Sequence, residues 1–271
     1  MNQLKKQKIF YRPEIDGLRA FAIFAVVLNH FNEKILPSGY LGVDIFFVIS
    51  GYVITSSLAL RKYKNFQDFI IGFYVRRIRR LIPALIFFVL VIDILICFFN
   101  PDPRYAIKTS ISALFGFSNF YLFKSSFNYF SEGVELNPFT HTWSLGVEEQ
   151  FYFVFPILIW LSGFVTGRKN SFKNLFLMIF LISIISLISF TFFYKTNFAA
   201  AYLLMPNRIW EISAGILIFL GLQKRTKLEE FINNVPPIVY FSGIVGVMFL
   251  PKNYGMVSTI LIVLLTSFLI F

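Results

Sequence analysis

Arg19 and His30 stand eleven residues apart in the stretch RPEIDGLRAFAIFAVVLNHF, whose other residues are mostly apolar. On a helix that separation is roughly 1100°, within about 20° of three turns, so the two side chains share a face about 16 Å apart along the axis. Arginine offers anions a planar fork of donors, and an imidazole can take up a proton or attack a carbonyl carbon near neutral pH. Asp44 falls early in the next apolar stretch, GYLGVDIFFVISGY, and is expected at about the depth of His30. Ionisable residues inside apolar helices are costly in a bilayer, so by default they mark function.

Three further clusters could do chemistry. FYVRRIRRLIPAL carries Arg76, Arg77, Arg79 and Arg80 at the mouth of an apolar run, with Pro83 expected at the start of the helix. Four guanidiniums suit phosphate groups on a ligand or on anionic lipid. In HTWSLGVEEQFYF, Ser144 and Glu148 are four residues apart on one helical face and Tyr152 continues the stripe, whereas Glu148 and Glu149 cannot share a face. MPNRIWEISAG places Arg208 and Glu211 at a pairable i, i+3 spacing. His141 precedes a helix in a loop and is a reserve candidate for a base, and Asp93, mid-helix, has no evident partner.

The elements that must position these groups are membrane helices. With 57% hydrophobic and 14% charged residues over 271 positions, the chain does not have the composition of a soluble globular domain. Apolar segments recur near 15–34, 39–60, 81–99, 106–123, 143–163, 174–194, 203–222, 236–250 and 255–271. Most are long enough to cross a bilayer as helices. Runs such as LIPALIFFVLVIDILICFF are apolar on every face, which excludes a transmembrane barrel. The expected fold is therefore an all-α polytopic bundle of eight or nine hydrophobic segments in a single domain, 1–271.

The net charge of +11 sits between apolar segments and forms no patch with interleaved exposed aromatics, so nucleic acid is not an expected partner. Basic residues gather instead at 1–12, 61–80, 168–173 and 224–227, as they do in cytoplasmic loops. If all four connectors are cytoplasmic, one of the three segments between Arg80 and Arg168 cannot cross. The short and polar 106–123 is expected to be re-entrant or interfacial, which leaves eight crossings and a cytoplasmic N-terminus. The start MNQLKKQK precedes a charged segment with no small-residue cleavage site, so an uncleaved first helix in the cytoplasmic membrane is expected. Cys97 is the single cysteine and lies in an apolar run, so neither a disulfide framework nor a metal site is expected.

Taken together, RPEIDGLRA, the Arg19-to-His30 spacing, GYLGVDIFFVISGY, RRIRRLIPAL, HTWSLGVEEQFYF and NRIWEISAG resemble, in order from Tyr11 to about Gly221, the acyltransferase-3 family of integral membrane O-acyltransferases. The resemblance implies transfer of an acyl group, usually acetyl from acetyl-CoA, to hydroxyls of surface or exported carbohydrates such as O-antigen, exopolysaccharide or peptidoglycan. It carries the family's essential arginine and histidine onto Arg19 and His30, its cytoplasmic arginine motif onto Arg77 and Arg79, and its Ser-x-x-x-Glu motif onto Ser144 and Glu148. Members usually have about ten crossings, so a C-terminally shortened member is expected.

On that basis Arg19, Arg76, Arg77, Arg79 and Arg80 are expected to hold acyl-CoA. His30 is expected to act as general base or as a transient acyl-imidazole, with Asp44 or Glu148 orienting it. Ser144, Tyr152, Arg208 and Glu211 are expected to meet the carbohydrate acceptor. No bound cofactor is expected beyond the acyl-CoA donor. Intramembrane Arg, His, Asp and Glu would also suit a transporter or flippase, yet the sequence shows no repeat between its halves.

Overall fold

A computed structural model describes residues 12–59, 61, 63–126, 137–168, 170–222 and 235–271. Lys62, Lys169 and the basic stretches 1–11 and 224–227 lie outside them. The described residues form eleven α-helices and no strand: α1 Pro13–Phe31, α2 Gly42–Ala59, α3 Phe66–Phe99, α4 Arg104–Leu114, α5 Ser118–Ser125, α6 Trp143–Leu161, α7 Ser171–Thr196, α8 Phe198–Leu203, α9 Met205–Gly221, α10 Pro237–Met248 and α11 Gly255–Ile270. Five segments are long and apolar enough to cross a membrane: Gly39–Ala59, Phe66–Phe99, Thr140–Leu161, Ser171–Thr196 and Lys252–Ile270. The chain divides into two compact units, one of residues 1–62, 169–184 and 210–271, the other of residues 63–168 and 185–209.

In the first unit the helix ends follow local chemistry. Pro13 opens α1, where its missing N–H costs nothing, and Glu14 and Asp16 complement the positive helix end. Asn32 turns extended at φ −159° and ends the helix with His30 in the last turn. Glycines then let helices touch backbone to backbone. A Cβ on Gly42 would strike the Ala22 carbonyl and Val26, and α2 meets α9 through Gly51 against the Ile212 carbonyl and Gly215 against the Val48 carbonyl. Close approach through small residues is how membrane helices associate when lipid is as apolar as their side chains.

In the second unit, α3 departs from the sequence expectation. Residues 66–80 continue the following helix instead of forming a loop, and Pro83 sits inside the helix, not at its start. Asn65 caps α3 by accepting from the Asp68 amide at 2.8 Å, which fixes the start well before the apolar run. At 34 residues the helix is about 51 Å long, far more than a hydrocarbon core of about 30 Å requires. The first four turns, with the arginines, can therefore stand beyond the lipid tails.

The segment 106–123 breaks into α4 and α5 at Gly116, whose φ of +72° favours glycine. Neither piece, at 11 and 8 residues, is long enough to cross.

Candidate active site

His30 is exposed at the end of α1, and its Nδ1 lies 2.8 Å from the Val26 carbonyl oxygen. A carbonyl only accepts, so Nδ1 carries the hydrogen and donates it. Nε2 then keeps the lone pair of the neutral ring. Asn29, one position earlier and buried, donates to the Leu36 and Pro37 carbonyls at 2.8 and 3.2 Å and holds the α1–α2 connection. Arg19, on the same helix, donates to Asp16 at 3.1 Å.

Asp44 is 1% exposed but does not share the level of His30. Gly39 packs on Ala25 and Asn29, and Gly42 on Ala22 and Val26, so α2 runs back along α1 and carries Asp44 past those contacts. The offset from His30 is roughly two helical turns. The expectation of equal depth fails because α1 ends at Phe31, which leaves His30 at the rim.

In the second unit the arginine run meets the acidic stripe of α6. The Arg77 guanidinium lies over the Tyr152 ring at 5.0 Å and near Phe73 at 5.9 Å, and it feels the Glu148 carboxylate electrostatically. The Tyr152 hydroxyl donates to Glu148 Oε2 at 2.9 Å, so the stripe read from the spacing is a physical contact. The Tyr74 hydroxyl donates to the Tyr152 carbonyl at 3.3 Å and ties α3 to α6 at this level. Arg76 donates to the Tyr63 hydroxyl at 2.7 Å, while Arg79 and Arg80 are exposed. On the helical wheel Arg76, Arg77 and Arg80 lie within roughly 80° of the buried Phe69 and Phe73, opposite the exposed Ile71, Val75 and Ile78. Arg76 and Arg77, both partly buried, thus extend the inward face of α3, and the exposed Arg80 continues the same stripe.

Ser144 donates to the His141 carbonyl at 3.2 Å, and the exposed His141 packs edge-on against Phe88. Arg208, 1% exposed, lies over the rings of Trp143, Tyr202 and Phe190 at 5.6, 5.1 and 5.9 Å. Glu211 is fully buried. Asp93 acquires a partner that the sequence did not reveal, accepting from the Ser110 hydroxyl at 2.8 Å. His30, Arg19, Asp44 and Glu211 belong to the first unit; the arginine run, Ser144, Glu148, Tyr152 and Arg208 belong to the second. Among the described residues no group of three His, Cys, Asp or Glu side chains could hold a metal ion.

A family model described as "Acyltransferase domain", that of acyltransferase-3, matches residues 12–271 and so takes in both units. This chain belongs to the acyltransferase-3 family. It is 39% identical over 178 residues to O-acetyltransferase OatA of Staphylococcus aureus strain NCTC 8325 / PS 47, covering 65% of this chain and 29% of that protein. It is 34% identical over 265 residues to the putative O-acetyltransferase SAS0844 of S. aureus strain MSSA476, covering 96% of this chain and 41% of that protein. The chain thus spans less than half the length of these curated relatives. No solved structure matches it.

What sequence reasoning missed in this acyltransferase-3 chain is the buried amide scaffold beneath the acidic stripe. Gln150 donates to Asn119 Oδ1 at 2.7 Å and to the Gly116 carbonyl at 2.9 Å, and Asn119 donates to the Leu203 carbonyl at 3.0 Å. Ser118 donates to the Thr142 carbonyl at 2.8 Å. Together they bind the non-crossing pair α4–α5 to α6 and α8, two positions from Glu148. Glu149 lies against Gly116, about a quarter turn round α6 from Glu148. Asn119 and Gln150 do not stand out in the sequence because neither is ionisable: Gln150 is overshadowed by Glu148 and Glu149 beside it, and Asn119 follows Ser118 in a segment marked only by its polarity. Gln150→Leu is expected to destabilise the protein by about 1–2 kcal/mol, since it removes the donor to the buried Asn119 Oδ1 and to the Gly116 carbonyl. Thermal unfolding in detergent checks this.

Proposed function

We propose that this chain is a membrane O-acyltransferase that moves an acyl group, acetyl foremost, from acyl-CoA to a hydroxyl of a surface or exported carbohydrate. The observation that carries the reading is the state of His30: exposed, with Nδ1–H spent on Val26 and Nε2 left as the basic atom. In the reaction Nε2 takes the proton of the acceptor hydroxyl as its oxygen attacks the thioester carbonyl. The carbon–sulfur bond then breaks, and the proton passes to the departing CoA sulfur. The inward-facing arginines of α3 supply charge for the donor's phosphates. A purely lipid-anchoring cluster would instead sit on the outward face, which Ile71, Val75 and Ile78 occupy.

The names of the relatives support the acetyl group, and the family supports a multi-pass membrane location. The basic connectors support a cytoplasmic N-terminus, and an inner-membrane location is part of the same proposal. Membranes carrying the protein, incubated with radiolabelled acetyl-CoA, are expected to release free CoA and to transfer label to surface glycan in equal amounts. A transporter would do neither, and that result would sink the reading.

A further inference from the structure

Tyr152 joins the two charged groups of the second unit, and its two ends do so differently. The ring face lies under the Arg77 guanidinium at 5.0 Å, while the hydroxyl at the ring edge donates to Glu148 at 2.9 Å. The side chain is 5% exposed, braced edge-on by Phe73 and fixed through its backbone by Tyr74. A buried tyrosine needs a partner for its hydroxyl, and here that partner is an acidic side chain one turn earlier. A guanidinium over a ring face is attracted by the ring's negative face, which holds the charge at this place, and its N–H donors are the groups that phosphate recognition uses.

We propose that Tyr152 is a positioning residue with two separable jobs: its ring orients Arg77 toward donor phosphates, and its hydroxyl orients Glu148 for the transfer step. The proposal rests on the acyl-transfer reading. It departs from the expectation that Tyr152 meets the acceptor, because its hydroxyl is committed to Glu148. It also links Glu148 to the arginine run.

The two jobs separate by substitution. Tyr152→Phe keeps the ring and removes the hydroxyl; Tyr152→Leu removes both. With purified full chain in nanodiscs, coenzyme A is the binding probe, measured by equilibrium dialysis. Turnover is measured as acceptor-dependent CoA release in membranes. Tyr152→Phe is expected to bind CoA within about twofold of wild type and to lose about tenfold in turnover, the worth of a hydrogen bond to a charged group. Tyr152→Leu is expected to weaken CoA binding about tenfold as well, the worth of a desolvated cation–ring contact.

If Tyr152→Leu does not fold, Arg77→Gln serves for the binding arm and should weaken CoA to a similar degree. Full turnover by Tyr152→Phe would overturn the proposal, as would equal CoA affinity in wild type and the ring-deleting or arginine-deleting variant. Wild type that binds no CoA would instead remove the donor-site reading before any variant is compared.

Discussion

Replacing His30 with alanine is expected to lower acyl transfer by about 10²–10⁴-fold, the usual contribution of a positioned general base. The loss should fall on turnover, because an exposed imidazole at the end of α1 carries no packing that alanine would forfeit. Its one polar contact among the described residues is with Val26, a carbonyl that sits within the backbone bonding of the same helix. Expression and melting temperature in detergent should therefore match wild type. The measurement is CoA release and glycan labelling per amount of membrane-inserted protein. Glutamine at the same position retains polarity but not basicity and should be as inactive as alanine; recovery of activity with glutamine would assign His30 a hydrogen-bonding role in place of a proton-accepting one.

The second large effect is structural. Gly51→Ala or Gly215→Ala is expected to destabilise the first unit by about 3 kcal/mol, the upper end of the ordinary cost of overpacking. At both positions the added carbon would overlap a backbone carbonyl of the opposing helix, Ile212 in one case and Val48 in the other. A backbone carbonyl cannot rotate away as a side chain can, so α2 and α9 would have to separate along their whole contact. Gly246→Ala is the control, since nothing lies within 4 Å of a Cβ there. A helical alanine in open space should be neutral or gain up to about 1 kcal/mol. Thermal melts with size-exclusion profiles in detergent compare the three. Equal melts for Gly51→Ala and Gly246→Ala would show that the α2–α9 contact is looser than its geometry states.

Much of the molecule was legible from residue types and their spacing. Continuous apolar runs dictate helices in a bilayer, because backbone groups there must bond within their own segment. The order of RPEIDGLRA, RRIRRLIPAL and HTWSLGVEEQFYF was enough to point to the family, and the i, i+4 spacing of Glu148 and Tyr152 was enough to put them in contact. The weakness of 106–123 as a crossing was readable from its serines, and the break at Gly116 agrees with it.

What spacing could not decide were the matters that depend on packing between helices. The level of Asp44 relative to His30 depends on the glycine-mediated register of α2 on α1, and an apolar run does not state its register. The basic connector 61–80 looked like a loop because charge resembles connector composition; the cap at Asn65 and the packing of Phe69 and Phe73 make residues 66–80 helix instead. The amide scaffold of Asn119 and Gln150 joins positions 31 residues apart, beyond the reach of any local pattern. The sequence by itself determined which side chains could carry the chemistry. Tertiary structure alone decided that Arg77 rests on Tyr152, because that contact joins two helices and its geometry is fixed only when they have packed; the contact through which His30 presents Nε2 is local to α1.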